Sequence, residues 1–467
     1  MALNFGTFLE QGFQFSFTDL SILLNKVRTG DVRSVSGYAN NVVDVTLDRT
    51  VQPFLADGTT PNPAFDPALA NGSAFNDFIR ISGVNNYPGP GSLTSANFPG
   101  LPNERLVSDV LMDQGATNMP EGGSWNNFFM DMGQYIDHGL DFFSKGANGS
   151  YTINDGSLTP AEGTIRATRA NGGTDGTYAN TLSNWVNQSQ TYGSEAAVTF
   201  LLTETQLDSF GNPMRDAVSG ELLKTAKLLG GSAFMAANFQ LGNPGDFPTG
   251  YDILINNGVD KALLEGYMLA NKANSGIVQQ WVADLTAYMQ YTADTAAWIA
   301  ANPVGAAVPV NPNPFGSPTT PPLAVANAIN ALQAGWVAVA ADPNYVDLTK
   351  VLPGTQQVLV GDMGFGAMSD PINLLQHYVG GDLRTNENVL LTSIHSLFHN
   401  SHNEIVDGLR TTLAGLQAQY LNVPLDQIDP GLRSLFVSVT EAGVTTSKLQ
   451  VFESELFDMS RAMVNGM

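Results

Sequence analysis

The sequence predicts a mainly α protein, a helical body preceded by a long irregular N-terminal arm. Three observations carry that expectation. Leu390, Ile394, Leu397, Phe398, Ile405 and Leu409 recur at helical spacing between Asn388 and Arg410. Trp125 to Phe143 holds a second helical period, rich in Phe, Met, Tyr and Ile. Asp57 to Gly100 is instead dense in Gly, Pro, Asn and Ser, the chemistry of turns.

Size and charge narrow what such a body can do. At 467 residues with 43% hydrophobic content the chain can bury one large core or two smaller ones. Its net charge of −23 repels nucleic acid and anionic membrane surfaces, so neither is an expected partner. With no cysteine, disulfides, thiolate metal sites and cysteine nucleophiles are excluded. Met1 to Phe5 lack a basic run and Glu10 interrupts the first apolar stretch, so no secretory signal is visible. Ala324 to Ala341 is the most apolar long window, but Asn327, Asn330 and Gln333 make it too polar to span a membrane. It reads as a buried Ala-rich helix.

Along the chain, residues 1–104 form the irregular arm, with one short helix expected over Phe13 to Leu24. Residues 105–239 follow. Val107, Val110 and Leu111 open a helical period there. On the next helix Gln134, Asp137, His138 and Asp141 share one polar face at i, i+3, i+4 and i+7. A helix apolar on its other sides should be buried, so this face is expected to line something. Ser144 to Asn180 reads as loop, Ala196 to Leu207 as helix, and Met214 to Leu229 as a short element. Residues 240–370 read as an insertion: a helix pair over Asp260 to Ala301, a Pro-rich linker from Pro303 to Pro322, and the Ala-rich helix. Residues 371–467 close the chain with the histidine-bearing helix and an amphipathic helix over Ser454 to Val464.

Three constellations could carry chemistry, each with a plainer alternative. His138 beside Asp137 could be a general base, a metal ligand, or a core histidine satisfied by its neighbours. His395, His399 and His402 hold three of the chain's five histidines at i, i+4 and i+7. That spacing allows a shared metal, but Leu397 and Phe398 interleave them, and a stripe of hydrogen-bonded helix histidines is the favoured reading. Arg384 and Glu387 could form a surface ion pair worth little. The preceding Gly380-Gly381-Asp382 instead argues for a tight turn that aims the arginine.

Taken in order, Gln134-Tyr135-Ile136-Asp137-His138, Tyr192-Gly193-Ser194, Gly381-Asp382-Leu383-Arg384-x-x-Glu387 and His395-Ser396-Leu397-Phe398-x-x-x-His402-Asn403 resemble the signature of the animal-type haem peroxidases, the peroxidase–cyclooxygenase superfamily. The resemblance covers roughly Arg105 to Met467 apart from the insertion. It implies an animal haem-peroxidase-like helical body and a peroxidase that oxidises small donors or halides with hydrogen peroxide. By resemblance, His138, Gln134 and Arg384 are the distal histidine, glutamine and arginine. Asp137 and Glu387 match carboxylates that ester-link haem b. Asn388 stands where one branch has a methionine, so no sulfonium link is expected. A fatty-acid oxygenase of the same superfamily is the rival enzyme, and the ester carboxylates count against it. A surface or interaction protein that kept the fold without catalysis is the rival from another class.

The chain departs from the family at two places. The family's calcium-binding aspartate after the distal histidine is Gly139 here, and Ser183, the Trp185 carbonyl, Asn187 and Ser189 are the oxygens left for that ion. Without a carboxylate they are expected to hold calcium poorly. None of the five histidines matches the family's proximal iron ligand, because the chain stops first. It is therefore expected to be a piece of a longer protein or a degenerate relative, incomplete at its C-terminus. As given, it should bind haem weakly and expose Leu456, Met459 and Met463. The acidic, cysteine-free composition fits an exported bacterial protein, extracellular or at the cell surface.

Overall fold

The computed structural model describes residues 16–40, 60–78, 126–143, 145–154, 164–170, 178–243, 245–273, 323–346, 375–441 and 443–466, with isolated positions 51, 107, 110 and 111. The expected Pro-rich linker lies outside them, as does most of the helix opening at Val107.

Helices dominate. In chain order the elements are α1 (Phe17–Arg28), β1 (Asn76–Asp77), α2 (Asn127–Asp137), β2 (Lys145–Asn154), β3 (Thr164–Ala170), β4 (Ala179–Asn180), α3 (Ser189–Tyr192), α4 (Ala196–Leu202), β5 (Thr203–Thr205), β6 (Lys224–Leu228), α5 (Ala233–Phe239), α6 (Gly250–Asn256), α7 (residues 261–273), α8 (Leu323–Ala340), α9 (Val389–Gln419), β7 (Phe436–Glu441), β8 (Val444–Leu449) and α10 (Glu453–Val464). The strands form four separate antiparallel pairs, β1–β4, β2–β3, β5–β6 and β7–β8. No described helix is long and apolar enough to cross a membrane.

α9 is the axis of the core. Asn388 caps it, accepting from the Leu391 amide at 2.8 Å, and the helix runs well past the expected stop at Arg410. Its buried stripe is Leu391, Ile394, Phe398, Ile405, Leu409, Leu413 and Leu416. α2, β6 and α10 pack on it, and Leu20 and Leu24 of α1 join the same core. So do Tyr251 and Ile253 of α6 and Leu264 and Met268 of α7.

Several sequence expectations are corrected. α1 begins at Phe17, because Ser16 caps it through the Asp19 amide, and it continues to Arg28. α4 stops at Leu202, where Thr203 to Thr205 turn extended and pair with β6. The stretch read as loop from Ser144 holds the β2–β3 hairpin, and the β7–β8 hairpin lies ahead of α10. Leu456 and Met459, expected at the surface, are buried on α9 and its neighbours, with Met463 partly so. Arg461 anchors α10, donating to the Arg33 carbonyl at 2.6 Å and to Asp458 at 3.0 Å.

α2 departs most from expectation. It ends at Asp137 instead of continuing to Phe143, with His138 as its C-cap and Asp141 beyond the helix. Its apolar residues are split: Tyr135 is buried against α9, whereas Phe128, Phe129, Met130 and Ile136 are exposed, Met130 by 68%.

Candidate active site

Three segments distant in sequence meet at the C-terminal end of α2. α3 and the Gly380–Asp382 turn approach so closely that a Cβ on Gly381 would strike the Gly193 nitrogen and the Ser189 carbonyl. Gly193 itself has φ +79° and closes α3, a conformation suited to glycine. A Cβ on Gly139 would strike the Gln190 side chain. These contacts give a physical reason for the glycines of the Tyr192-Gly193-Ser194 and Gly381-Asp382 pieces. They set the start of α9 against the end of α2.

His138 lies at the centre and is 3% exposed. Its Nδ1 is 3.4 Å from Asp382 Oδ1 and its Nε2 is 3.7 Å from Glu387 Oε2. Burial pushes its pKa down to about 4; Asp382 pulls upward, Arg384 pushes further down and Asp137 pulls upward. The imidazole is therefore neutral at pH 7. Gln134 bridges the rim, donating from Nε2 to Glu387 Oε2 at 2.7 Å and accepting from Asn388 Nδ2 at 3.2 Å. Glu387 and Asp137 are exposed.

Arg384 does not stand with its guanidinium toward that rim. Its Nε and Nη2 grip Asp382 at 3.0 and 2.9 Å. Nη2 also donates to the carbonyls of His138 and Asp141, at 3.2 and 2.8 Å, closing the end of α2. The guanidinium lies over the Phe142 ring, 4.8 Å from its centroid. The tight turn does aim the arginine, as the sequence suggested, but at Asp382 and the helix end.

Asp382 is the residue whose weight the sequence reading missed. Its side chain is 1% exposed. Burial alone would raise its pKa; the Arg384 charge and hydrogen bonds, with His138 and His395, outweigh that and hold the carboxyl below its ordinary value. A glycine pair followed by Asp-x-Arg was the available signal. Such an aspartate accepts from the backbone two residues on, here Arg384 N at 2.8 Å.

The three helix histidines are core groups. His399 Nε2 lies 2.7 Å from the Leu229 carbonyl and His402 Nε2 2.9 Å from the Ala226 carbonyl. Tyr192 Oη lies 3.0 Å from His402 Nδ1. His395 stands edge-on to Tyr135, ring centroids 4.9 Å apart. Among the described residues no group of three or more His, Asp or Glu is arranged to hold a metal ion.

Of the oxygens carried over for calcium, Ser183 Oγ and Ser189 Oγ are engaged in hydrogen bonds, whereas Asn187 Oδ1 is buried without one. Asn187 Nδ2 donates to the carbonyls of Ser34 and Val35, at 3.0 and 2.9 Å, and to Ser183 Oγ at 3.0 Å. Ser189 Oγ donates to the Gly139 carbonyl, and Trp185 Nε1 to the Asn71 carbonyl. An amide NH2 thus sits among three oxygens, pinning the N-terminal arm to the loop before α3.

The outer face of α2 is open. Met130, Gly133, Gln134 and Asp137 share it at i, i+3, i+4 and i+7, and Val389 at the start of α9 is 85% exposed nearby in sequence to Glu387. A Cβ on Gly133 would meet nothing within 4 Å, so the surface beside Gln134 is open. None of His395, His399 and His402 faces it as an iron ligand.

No protein-family model matches the chain, and no curated protein matches it. Among solved structures, Peroxidase A from Dictyostelium discoideum is similar at 16% identity and a TM-score of 0.26. The match covers 52% of this chain and 47% of that one, so the chain spans about half of that protein's length. At that TM-score the likeness decides neither fold nor function.

Proposed function

We propose that the chain carries the peroxide-handling half of a haem peroxidase. The observation that supports this reading is the convergence of Gln134, His138 and Glu387, with His138 Nε2 3.7 Å from a carboxylate more than two hundred residues away in sequence. A neutral imidazole can take a proton from hydrogen peroxide and return it to the departing oxygen. Gln134 and Glu387 hold the rim in place, and Asp137 and Glu387 are the carboxylates available to hold the haem. When bound, haem would supply the redox chemistry at iron.

Electrostatics sorts the donors. The Arg384 charge is offset by Asp382, two exposed carboxylates flank the rim, and the chain as a whole is at −23. Such a field disfavours halide anions and favours neutral or cationic small donors. The burial of His138 and the engagement of Arg384 on Asp382 favour the second reading, a fold retained without catalysis.

One pair of measurements separates them. Haem titration followed by absorbance should show weak binding, and the reaction of the bound fraction with peroxide should slow by roughly 10²–10⁴-fold in His138→Gln. Undiminished reaction in the variant would remove His138 from the chemistry. A chain that binds no haem at all would leave the non-catalytic reading standing.

A further inference from the structure

α2 and the residues just after it bring Asp137 and Asp141 to His138, and the turn into α9 brings Asp382, Arg384 and Glu387. α9 itself brings His395, ring centroids 6.5 Å away. Two carboxylates compete for the imidazole from opposite ring nitrogens. Glu387 is the weaker, since its side chain is 32% exposed, lies at 3.7 Å and already accepts from Gln134. Asp382 is almost fully buried, lies at 3.4 Å and cannot turn away, because Arg384 grips both of its oxygens.

In this geometry His138 Nδ1 lacks a hydrogen bond. A buried polar atom left so is costly, and the Asp382 carboxylate is the acceptor within reach. A bare Nδ1 lone pair would instead face an anionic oxygen across 3.4 Å. Only an N–H there makes the contact favourable, and a slight turn of the ring would close the bond.

We propose that Asp382 is the positioning residue of the site: clamped by Arg384, it holds the His138 imidazole with its proton on Nδ1 and leaves the Nε2 lone pair directed at the Gln134–Glu387 rim. Arg384 then acts through Asp382, and because the pair is nearly neutral it orients the imidazole without drawing it to the charged form. The catalytic meaning of this arrangement rests on the peroxide reading of His138. The tautomer itself does not.

The test is nitrogen-15 NMR of the full chain with labelled histidine at pH 7, without haem or peroxide, His138 being assigned by the signals lost in His138→Gln. The wild type should show a protonated Nδ1 and a bare Nε2. In Asp382→Asn, which keeps a side-chain oxygen to cap Arg384 N but presents an amide to the ring, the two nitrogens should exchange shifts. A protonated Nε2 in the wild type, or an unchanged tautomer in a folded Asp382→Asn, overturns the proposal. Should that variant not fold, Arg384→Gln decides: with the clamp gone the carboxylate should draw His138 to a higher titration midpoint, and an unmoved midpoint overturns the assignment. A tautomer that switches as described in a protein inert to peroxide leaves Asp382 its role and removes the peroxide reading instead.

Discussion

Lowering the pH from 7 to 5 should strip this protein of most of its stability, through buried imidazoles rather than carboxylates. Burial holds His138, His395 and His399 down at about 4 and His402 at about 3. In the unfolded chain each would titrate near 6.5. The folded values lie below the unfolded ones, so the unfolded state binds more protons in that interval and stability falls as the pH drops through it. At pH 5 each imidazole has cost about 2 kcal/mol, and four together roughly 8 kcal/mol, against a usual total of about 5–15 kcal/mol. Other groups act lower. Asp141, Glu195 and Asp252, raised by burial, oppose the loss, and Asp382 and Glu455, held low, add to it, but these effects gather near the ordinary carboxylate range. Urea midpoints measured at pH 7, 6, 5.5 and 5 give the number of protons taken up on unfolding. Between pH 6 and 5 that number should be between about three and four. His399→Asn keeps a donor for the Leu229 carbonyl and should reduce it by about one. An uptake below about one proton would refute the reasoning, because it would mean that these rings are already solvated or charged in the folded protein.

Two further outcomes follow from the same packing. Asn187→Asp turns a donor among three oxygens into a fourth acceptor and should cost about 3 kcal/mol; calcium should restore the melting temperature of that variant, whereas EDTA leaves the wild type unmoved, and a calcium-reversible drop in the wild type would show a cation site made by other residues. Tyr192→Phe leaves His402 Nδ1 without its partner in a fully buried position and should lower stability by about 1–3 kcal/mol, while an unchanged urea midpoint would show that this hydrogen bond contributes nothing.

The parts of the fold legible in the sequence are those fixed by local periodicity. The α9 stripe at Ile394, Phe398, Ile405 and Leu409 faces the core as its spacing required. The N-cap at Asn388 is likewise a local signal. The strand pairs were hard to read, since β7 offers only a short alternation at Val437 and Val439 and β8 is mostly Thr, Ser and Lys between its ends. The early stop of α2 was marked locally only by Gly139, which follows its C-cap. Arg384, from far along the chain, holds the carbonyls of His138 and Asp141 just past the helix, and no helix period could foresee that. α10 misled for a different reason: its apolar residues were read as a surface awaiting a partner, when α9, β6 and α1 of the same chain cover them.

The candidate site divides along the same line. That the motif pieces could meet there was legible, because they carry glycines that allow close backbone approach, as Gly381 against Gly193 shows. What each does was not, because direction depends on neighbours. A guanidinium free to face the rim would act as a bare positive charge on whatever reacts there. The one in this structure meets a carboxylate within 3 Å first, and the pair presents little net charge to His138. The difference turns on a single buried side chain, Asp382. With an apolar residue at that position, Arg384 would keep its bonds to the His138 and Asp141 carbonyls but lose its counter-charge. His138 Nδ1 would then have a cation for a neighbour and no anion, and the neutral ring would hold its proton on the Glu387 side instead. The identity of residue 382 therefore decides which face of the imidazole is basic, and with it whether this rim can take a proton from a substrate at all.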